Sequence, residues 1–185
     1  FAAAEESSTD QVKALFDVNV FGVVRMTNAV LPVMRRQGNG RIINMSSVLG
    51  LVPAPYSAIY SATKHAVEGY SESLDHETRA LGIRVILVEP AYTRTAFEDN
   101  LIKPDTPIAA YDSARGGVEA SARKGLQMGD DPAVVASTVV KAATARAPKR
   151  RYTAGSVARQ IRLLRRFVPE GVFDKVLRKQ MRLPA

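Results

Sequence analysis

An α/β fold built on a parallel sheet is predicted by three features of this chain. Residues 41–46 and Ile83-Arg-Val-Ile-Leu-Val-Glu89 are short apolar runs of the kind that form buried strands. Between them, a helical stretch runs from Tyr60 to about Leu81 and stops at Gly82. Strand, helix and strand joined by short links make a right-handed parallel crossover.

Each element has a local reason. Ser8-Thr9-Asp10 supplies N-cap chemistry for a first helix. Val12, Leu15, Phe16, Asn19, Val23, Met26, Val30 and Met34 follow at spacings of 3 and 4, and the helix ends near Gln37-Gly-Asn-Gly40. Asn19 is a polar position on that apolar stripe. A buried amide without partners costs roughly 1–3 kcal/mol, so Asn19 is either a satisfied core asparagine or a functional one. The strand over 41–46 is apolar on both faces except at Asn44. Gly50, Pro53 and Pro55 break the chain before the second helix, whose apolar face is Ala66, Val67, Tyr70 and Leu74. Pro90 ends the second strand.

Residues 91–129 are less regular, interrupted by Pro104, Pro107, Gly116 and Gly117, with a short helix expected over 113–126. A long irregular segment of this kind suits a substrate lid. Its Tyr92, Phe97, Leu101, Ile102, Ile108 and Tyr111 fit an apolar pocket or ordinary packing. Asp130-Asp131-Pro132 caps a helix reaching about Ala145. Residues 151–153 read as a last short strand, and 156–167 and 170–180 as basic amphipathic helices.

The 185 residues are expected to form a single domain over 1–185, with 91–129 as lid region and 146–185 as a basic helical extension. The absence of cysteine excludes disulfides and thiolate metal sites, and two histidines argue against a histidine metal site. No uninterrupted apolar run has the length of a membrane-spanning helix, and FAAAEESSTD is acidic where a leader would be basic. The start is not an initiator sequence, so the chain reads as the later part of something longer. Net charge is +8, unevenly spread: Arg146 to Arg182 holds twelve Lys/Arg against two acids, net +10, leaving −2 elsewhere.

The chemistry is concentrated between Ile42 and Lys64. A strand delivers Ser47, a proline-containing loop follows, and Tyr60 and Lys64 stand four residues apart on one helix face. Free tyrosine, with a pKa near 10, is a poor base at neutral pH, and a nearby ammonium favours the phenolate. Such a phenol can exchange a proton with an alcohol or carbonyl oxygen that a serine hydroxyl holds. Tyr-x-x-x-Lys alone is common in helices. Its combination with the strand-borne serine and the strand ending in Glu89-Pro90 is not.

Asn19-Val-Phe-Gly22, Asn44-Met-Ser-Ser47, Tyr60-Ser-Ala-Thr-Lys64 and Glu89-Pro-Ala-Tyr-Thr-Arg-Thr95 together resemble the short-chain dehydrogenase/reductase family, most nearly its 17β-hydroxysteroid and retinol dehydrogenase branch. The resemblance implies the C-terminal part of a Rossmann-type doubly wound parallel sheet. It also implies hydride transfer between NAD or NADP and a lipophilic alcohol or ketone. Tyr60 would be the acid/base, and Lys64 would lower its pKa and hold the nicotinamide ribose. Ser47 would bind the substrate oxygen, Ser46 would be structural, and Asn19 would orient a water in a proton relay. Pro90, Tyr92, Thr93 and Thr95 would border the cofactor, with Tyr92 and Phe97 also lining the substrate site. Helices 10–37 and 60–81 would form a homodimer interface, in a cytoplasmic enzyme.

Two departures stand out. Pro90-Ala91 replaces the family's usual Pro-Gly, and alanine lacks glycine's freedom at positive φ. The family's glycine-rich turn, adenosine-ribose selector and Asn-Asn-Ala-Gly strand have no counterpart here. The N-terminal glycine-rich βαβ half is therefore expected to be absent, leaving a fragment that binds the cofactor poorly by itself and a strand at Ile42 with an open edge. Two other readings compete: a non-catalytic remnant, and a module using its basic helices on an anionic membrane surface. Nucleic acid is disfavoured, because no aromatic stacking set interleaves the cations.

Overall fold

Side chains alternate along the strand Ile83–Pro90, and that alternation sets the layers of the molecule. The computed structural model describes residues 1–96 and 103–183. Three parallel strands are hydrogen-bonded in the order β1 (Gly40–Met45), β2 (Ile83–Pro90), β3 (Arg151–Ala154). Ile86 and Val88 pack with Ala142 and Ala154 on one face. The other face meets α3 (Ala58–Thr78), where Asn44 Nδ2 donates to Ser71 Oγ at 2.9 Å. With helices on both faces, β2 is buried almost throughout, and each buried Ile, Leu or Val contributes about 1.5–3 kcal/mol. Among the described residues β1 is an edge strand.

The remaining helices are α1 (Thr9–Phe16), α2 (Gly22–Gln37), α4 (Asp112–Gln127), α5 (Pro132–Thr144), α6 (Ser156–Phe167) and α7 (Glu170–Gln180). The first helix starts as expected, with Ser8 Oγ accepting Gln11 N–H at 3.2 Å. It is not uniform, because a π-turn at Asp17–Phe21 separates α1 from α2. It is also longer and more apolar than the sequence reading allowed: by length and composition, Thr9–Gln37 could cross a membrane. Arg25, which interrupts the apolar run in the sequence, is paired with Asp17 at 2.7 Å. Gly82 ends the 3-10 turn after α3 in the left-handed region (φ 75°), and a Cβ there would lie 2.1 Å from Gly38 O.

Two buried carboxylates hold distant segments together. Asp75 on α3 accepts from Arg84 Nε at 2.8 Å, from Val85 N–H at 3.0 Å and from Arg79. Glu6 accepts from Ala3 N–H at 2.8 Å, from Ile108 N–H at 2.9 Å and from Arg115. Ser8 N–H donates to Asp105 at 2.8 Å, so the N-terminal segment is fastened to the stretch before α4. The helix expected over 113–126 is present as α4.

Candidate active site

Three side chains from two stretches of chain meet at the C-terminal end of the sheet. Parallel pairing of Met45 with Val88 sets the exit of β1 beside Glu89 and Pro90. Beyond that exit Ser47 caps the 3-10 turn Val48–Gly50, its Oγ accepting Leu49 N–H at 3.1 Å. The hydroxyl hydrogen is left to donate, and the Tyr60 phenol is close enough for the Ser47 side chain to pull its pKa down. Gly50 permits the tight loop, for a Cβ there would stand 2.6 Å from Ser46 Oγ. Ser46 itself is buried.

Tyr60 and Lys64 share one face of α3, with Lys64 Nζ 5.5 Å from the centre of the phenol ring. Nζ donates to Met45 O at 3.1 Å, which ties α3 to the end of β1. Burial pushes the Tyr60 phenol up, with the Ser47 hydrogen bond pulling the other way, and burial pushes the Lys64 ammonium down. Burial has the largest effect on the phenol, and its direction is opposite to the lowering expected from Lys64.

Asn19 lies in the π-turn Asp17–Phe21, a helix irregularity frequent at functional sites. Its Nδ2 donates to Thr63 Oγ1 at 3.2 Å, and Thr63 Oγ1 donates to Tyr60 O at 2.7 Å. The amide on the apolar stripe is thus satisfied, and its partner belongs to the same helix turn as Tyr60 and Lys64. Thr63, fully buried, went unremarked in the sequence. Its position three residues after Tyr60 and one before Lys64 was the available signal.

The predicted cofactor border is placed differently residue by residue. Pro90 closes β2. Thr93 makes a parallel bridge with Asp130, and its Oγ1 donates to Ala91 O at 3.2 Å. The Tyr92 ring is turned onto α4, where a Cβ on Gly125 would lie 2.5 Å from it. Thr95 is exposed. Phe97, Leu101 and Ile102 lie outside the described residues. Ile108 and Tyr111 lie just before α4, where Tyr111 packs edge-on against Tyr56 with ring centres 6.2 Å apart.

Just before Pro90, Glu89 is fully buried facing α3. Arg151 Nε is 3.2 Å from Glu89 Oε1, an ion-pair distance without hydrogen-bond alignment, and it donates to Glu68 Oε2 at 3.0 Å. Burial, reinforced by the Glu68 carboxylate and opposed by Arg162 and Arg151, pushes Glu89 up to about 7. Among the described residues no group of three or more His, Asp or Glu is placed to hold a metal ion.

Comparison with known proteins accords with this geometry. The sequence pattern described as short chain dehydrogenase matches residues 1–106. An uncharacterized oxidoreductase of Schizosaccharomyces pombe is 32% identical over 185 residues, covering 99% of this chain and 77% of the relative. Retinol dehydrogenase 8 of Bos taurus is 36% identical over 161 residues, covering 80% of this chain and 51% of the relative. A short-chain dehydrogenase structure from Streptomyces avermitilis superimposes with TM-score 0.72 at 32% identity, over 95% of this chain and 61% of that one. Another, from Burkholderia phymatum in complex with NAD, gives 0.67 at 26% identity, over 88% and 60%. The chain thus spans between 51% and 77% of the length of these relatives. On the family pattern, the relative matched along nearly the whole of this chain and the shared fold, this chain belongs to the short-chain dehydrogenase/reductase family.

Proposed function

We propose that the protein transfers a hydride between NAD or NADP and a lipophilic secondary alcohol or ketone, with Tyr60 as the proton donor and acceptor. The observation that carries this reading is the convergence of the Ser47 hydroxyl, the Tyr60 phenol and the Lys64 ammonium, the last on the same helix face as Tyr60. A nicotinamide held here would supply or accept the hydride at the substrate carbon. In reduction, the Tyr60 O–H gives its proton to the carbonyl oxygen while the Ser47 hydroxyl holds that oxygen in line. In oxidation the phenolate takes the alcohol proton instead. Lys64 and Tyr60 would hold the nicotinamide ribose, and the turn from Pro90 to Thr95 would border the ring. The donor set fits such a group, because Lys64 has three donors and gives one to Met45 O. Asn19 acts through Thr63 on the Tyr60 turn.

Oxidation of NADH and NADPH against a panel of apolar ketones, with Tyr60→Phe beside the parent chain, tests this. Loss of an acid/base group is expected to lower turnover about 10²–10⁴-fold. Equal turnover in the two proteins would refute the role of Tyr60.

The exposed face of the first helical run favours a homodimer: Val18, Phe21, Met26 and Val33 are large, apolar and open to solvent. Sedimentation showing dimers that Met26→Glu converts to monomers supports this. A monomeric parent chain would refute it.

A further inference from the structure

Two helices at the end of the chain show apolar side chains to solvent on a strongly basic background. In α6, Ala158 is fully buried and Ile161 and Arg162 are half-buried, so this face packs on the protein, beside β3. Val157, Leu163, Leu164 and Phe167 lie on other faces and are open, Phe167 to 71%. Arg159 and Arg166 are seven residues apart, so they share one edge of the exposed arc. In α7, Val172 and Val176 are open one turn apart, and Lys175 and Lys179 repeat the same spacing beside them. The guanidinium groups of Arg166 and Arg165 lie over the rings of Phe167 and Phe173, 5.6 and 5.7 Å from their centres.

Not all the basicity of this region faces outward. Arg150 and Arg151 bond Glu72 at 2.7 and 2.8 Å, which consumes two of its charges inside the fold. Seven of the other ten cations lie on α6 and α7, against Glu170 and Asp174 alone between Ser156 and Gln180. The location also matters. α6 follows β3, and β3 and β1 are opposite edges of the sheet. An element completing the sheet at β1 would therefore lie at the far edge from α6.

We propose that α6 and α7 form a docking surface for an anionic lipid bilayer, with Phe167, Leu163 and Leu164 entering the headgroup boundary and the flanking Arg and Lys meeting lipid phosphates. Exposed apolar residues beside a cationic edge are what an interfacial helix needs. The charge selects this occupant over a second copy of the chain, since an equally basic surface would repel it. The inference is independent of the hydride-transfer reading, and its test contains no activity assay.

The intact chain is sedimented with phosphatidylcholine vesicles, with and without added phosphatidylserine. Binding is expected only with phosphatidylserine, and is expected to fall steeply between about 0.1 M and about 1 M salt as the Debye length shrinks from about 10 to about 3 Å. Arg159→Glu with Arg166→Glu is expected to weaken partitioning roughly tenfold or more. Phe167→Ser is expected to weaken it while circular dichroism stays unchanged, and Lys13→Glu with Arg36→Glu, the same charge change elsewhere, to leave it intact. The proposal is overturned by any of four results: no binding to the phosphatidylserine vesicles, equal binding without phosphatidylserine, equal loss in the two charge reversals, or indifference to Phe167→Ser.

Discussion

Asn19 Nδ2 donates to Thr63 Oγ1 at 3.2 Å, fastening the π-turn of the first helical run to the residue next to Lys64. Because Thr63 Oγ1 also bonds Tyr60 O, one buried hydroxyl links the amide to the turn that carries the phenol and the ammonium. Thr63→Val removes both bonds. Each is worth a net ~1 kcal/mol, so thermal unfolding is expected to shift by only a few degrees. Turnover is expected to fall about tenfold with KM nearly unchanged, because the loss is one of positioning. Unchanged turnover would remove Thr63 from the site.

The protonation of Tyr60 sets the pH dependence. Burial raises the phenol above its ordinary value near 10, so the acid form persists throughout the neutral range. Carbonyl reduction is expected to be flat in its Tyr60 dependence up to that value and to decline above it. Alcohol oxidation, which needs the phenolate, is expected to rise with pH over the same alkaline range. Paired pH profiles of kcat/KM in the two directions check this, and an oxidation rate that levels off near pH 7 would contradict it.

Glu89 predicts the opposite of ordinary acid denaturation. Its folded-state value, raised to about 7, lies above the unfolded one, so the neutral carboxyl favours the fold. The groups facing it are Glu68 on α3, Arg151 on β3 and Arg162 on α6. The stability it contributes is fully present below the unfolded value, near pH 4.3, and is lost as pH rises through about 7. Glu89→Gln keeps the neutral shape and is expected to remove that decline, read as denaturant midpoints at about pH 5 and about pH 8. Identical slopes in the two proteins would show that Glu89 does not titrate there.

Glu6 is expected to control the stretch before α4. Arg115 and the Ile108 N–H hold its carboxyl down at about 2 against the cost of burial, so the charged form is the structural one. Stability from this group is present above the usual carboxylate range and is lost as pH falls toward 2. Glu6→Gln leaves Arg115 short of its counter-charge. Chymotrypsin cleavage after Tyr111 is expected to quicken roughly tenfold at neutral pH as this stretch opens locally. An unchanged cleavage rate would mean that Asp105 and Tyr111 hold the segment without Glu6.

Tyr60 and Lys64 could be paired from the sequence because a helix repeats every 3.6 residues, so a spacing of four needs no tertiary knowledge. The strand Ile83–Pro90 was legible for a similar reason, as β-branched residues in a short run bounded by Gly82 and a proline are a local signal. The ends of α6 and α7 were read correctly from their amphipathic patterns. Thr63 and Glu6 were not legible. Their partners lie 44 residues away in one case and more than 100 in the other, and a threonine inside a helix or a glutamate near the start of a chain carries no mark of such a contact.

The local pattern of residues was enough to specify the strand–helix–strand order, the Ser47, Tyr60 and Lys64 set and the basic pair of terminal helices. Those features rest on propensity, capping and periodicity, each of which acts over a few neighbouring residues. The upward push on the phenol came from packing alone, because desolvation depends on what closes over the side chain and not on the spacing of Tyr60 and Lys64. The inward use of Arg150 and Arg151 came from packing as well, because a charge count cannot tell a guanidinium facing lipid or water from one buried against Glu68 and Glu72. Burial and pairing depend on residues far apart in the chain, and only the folded arrangement brings them within reach.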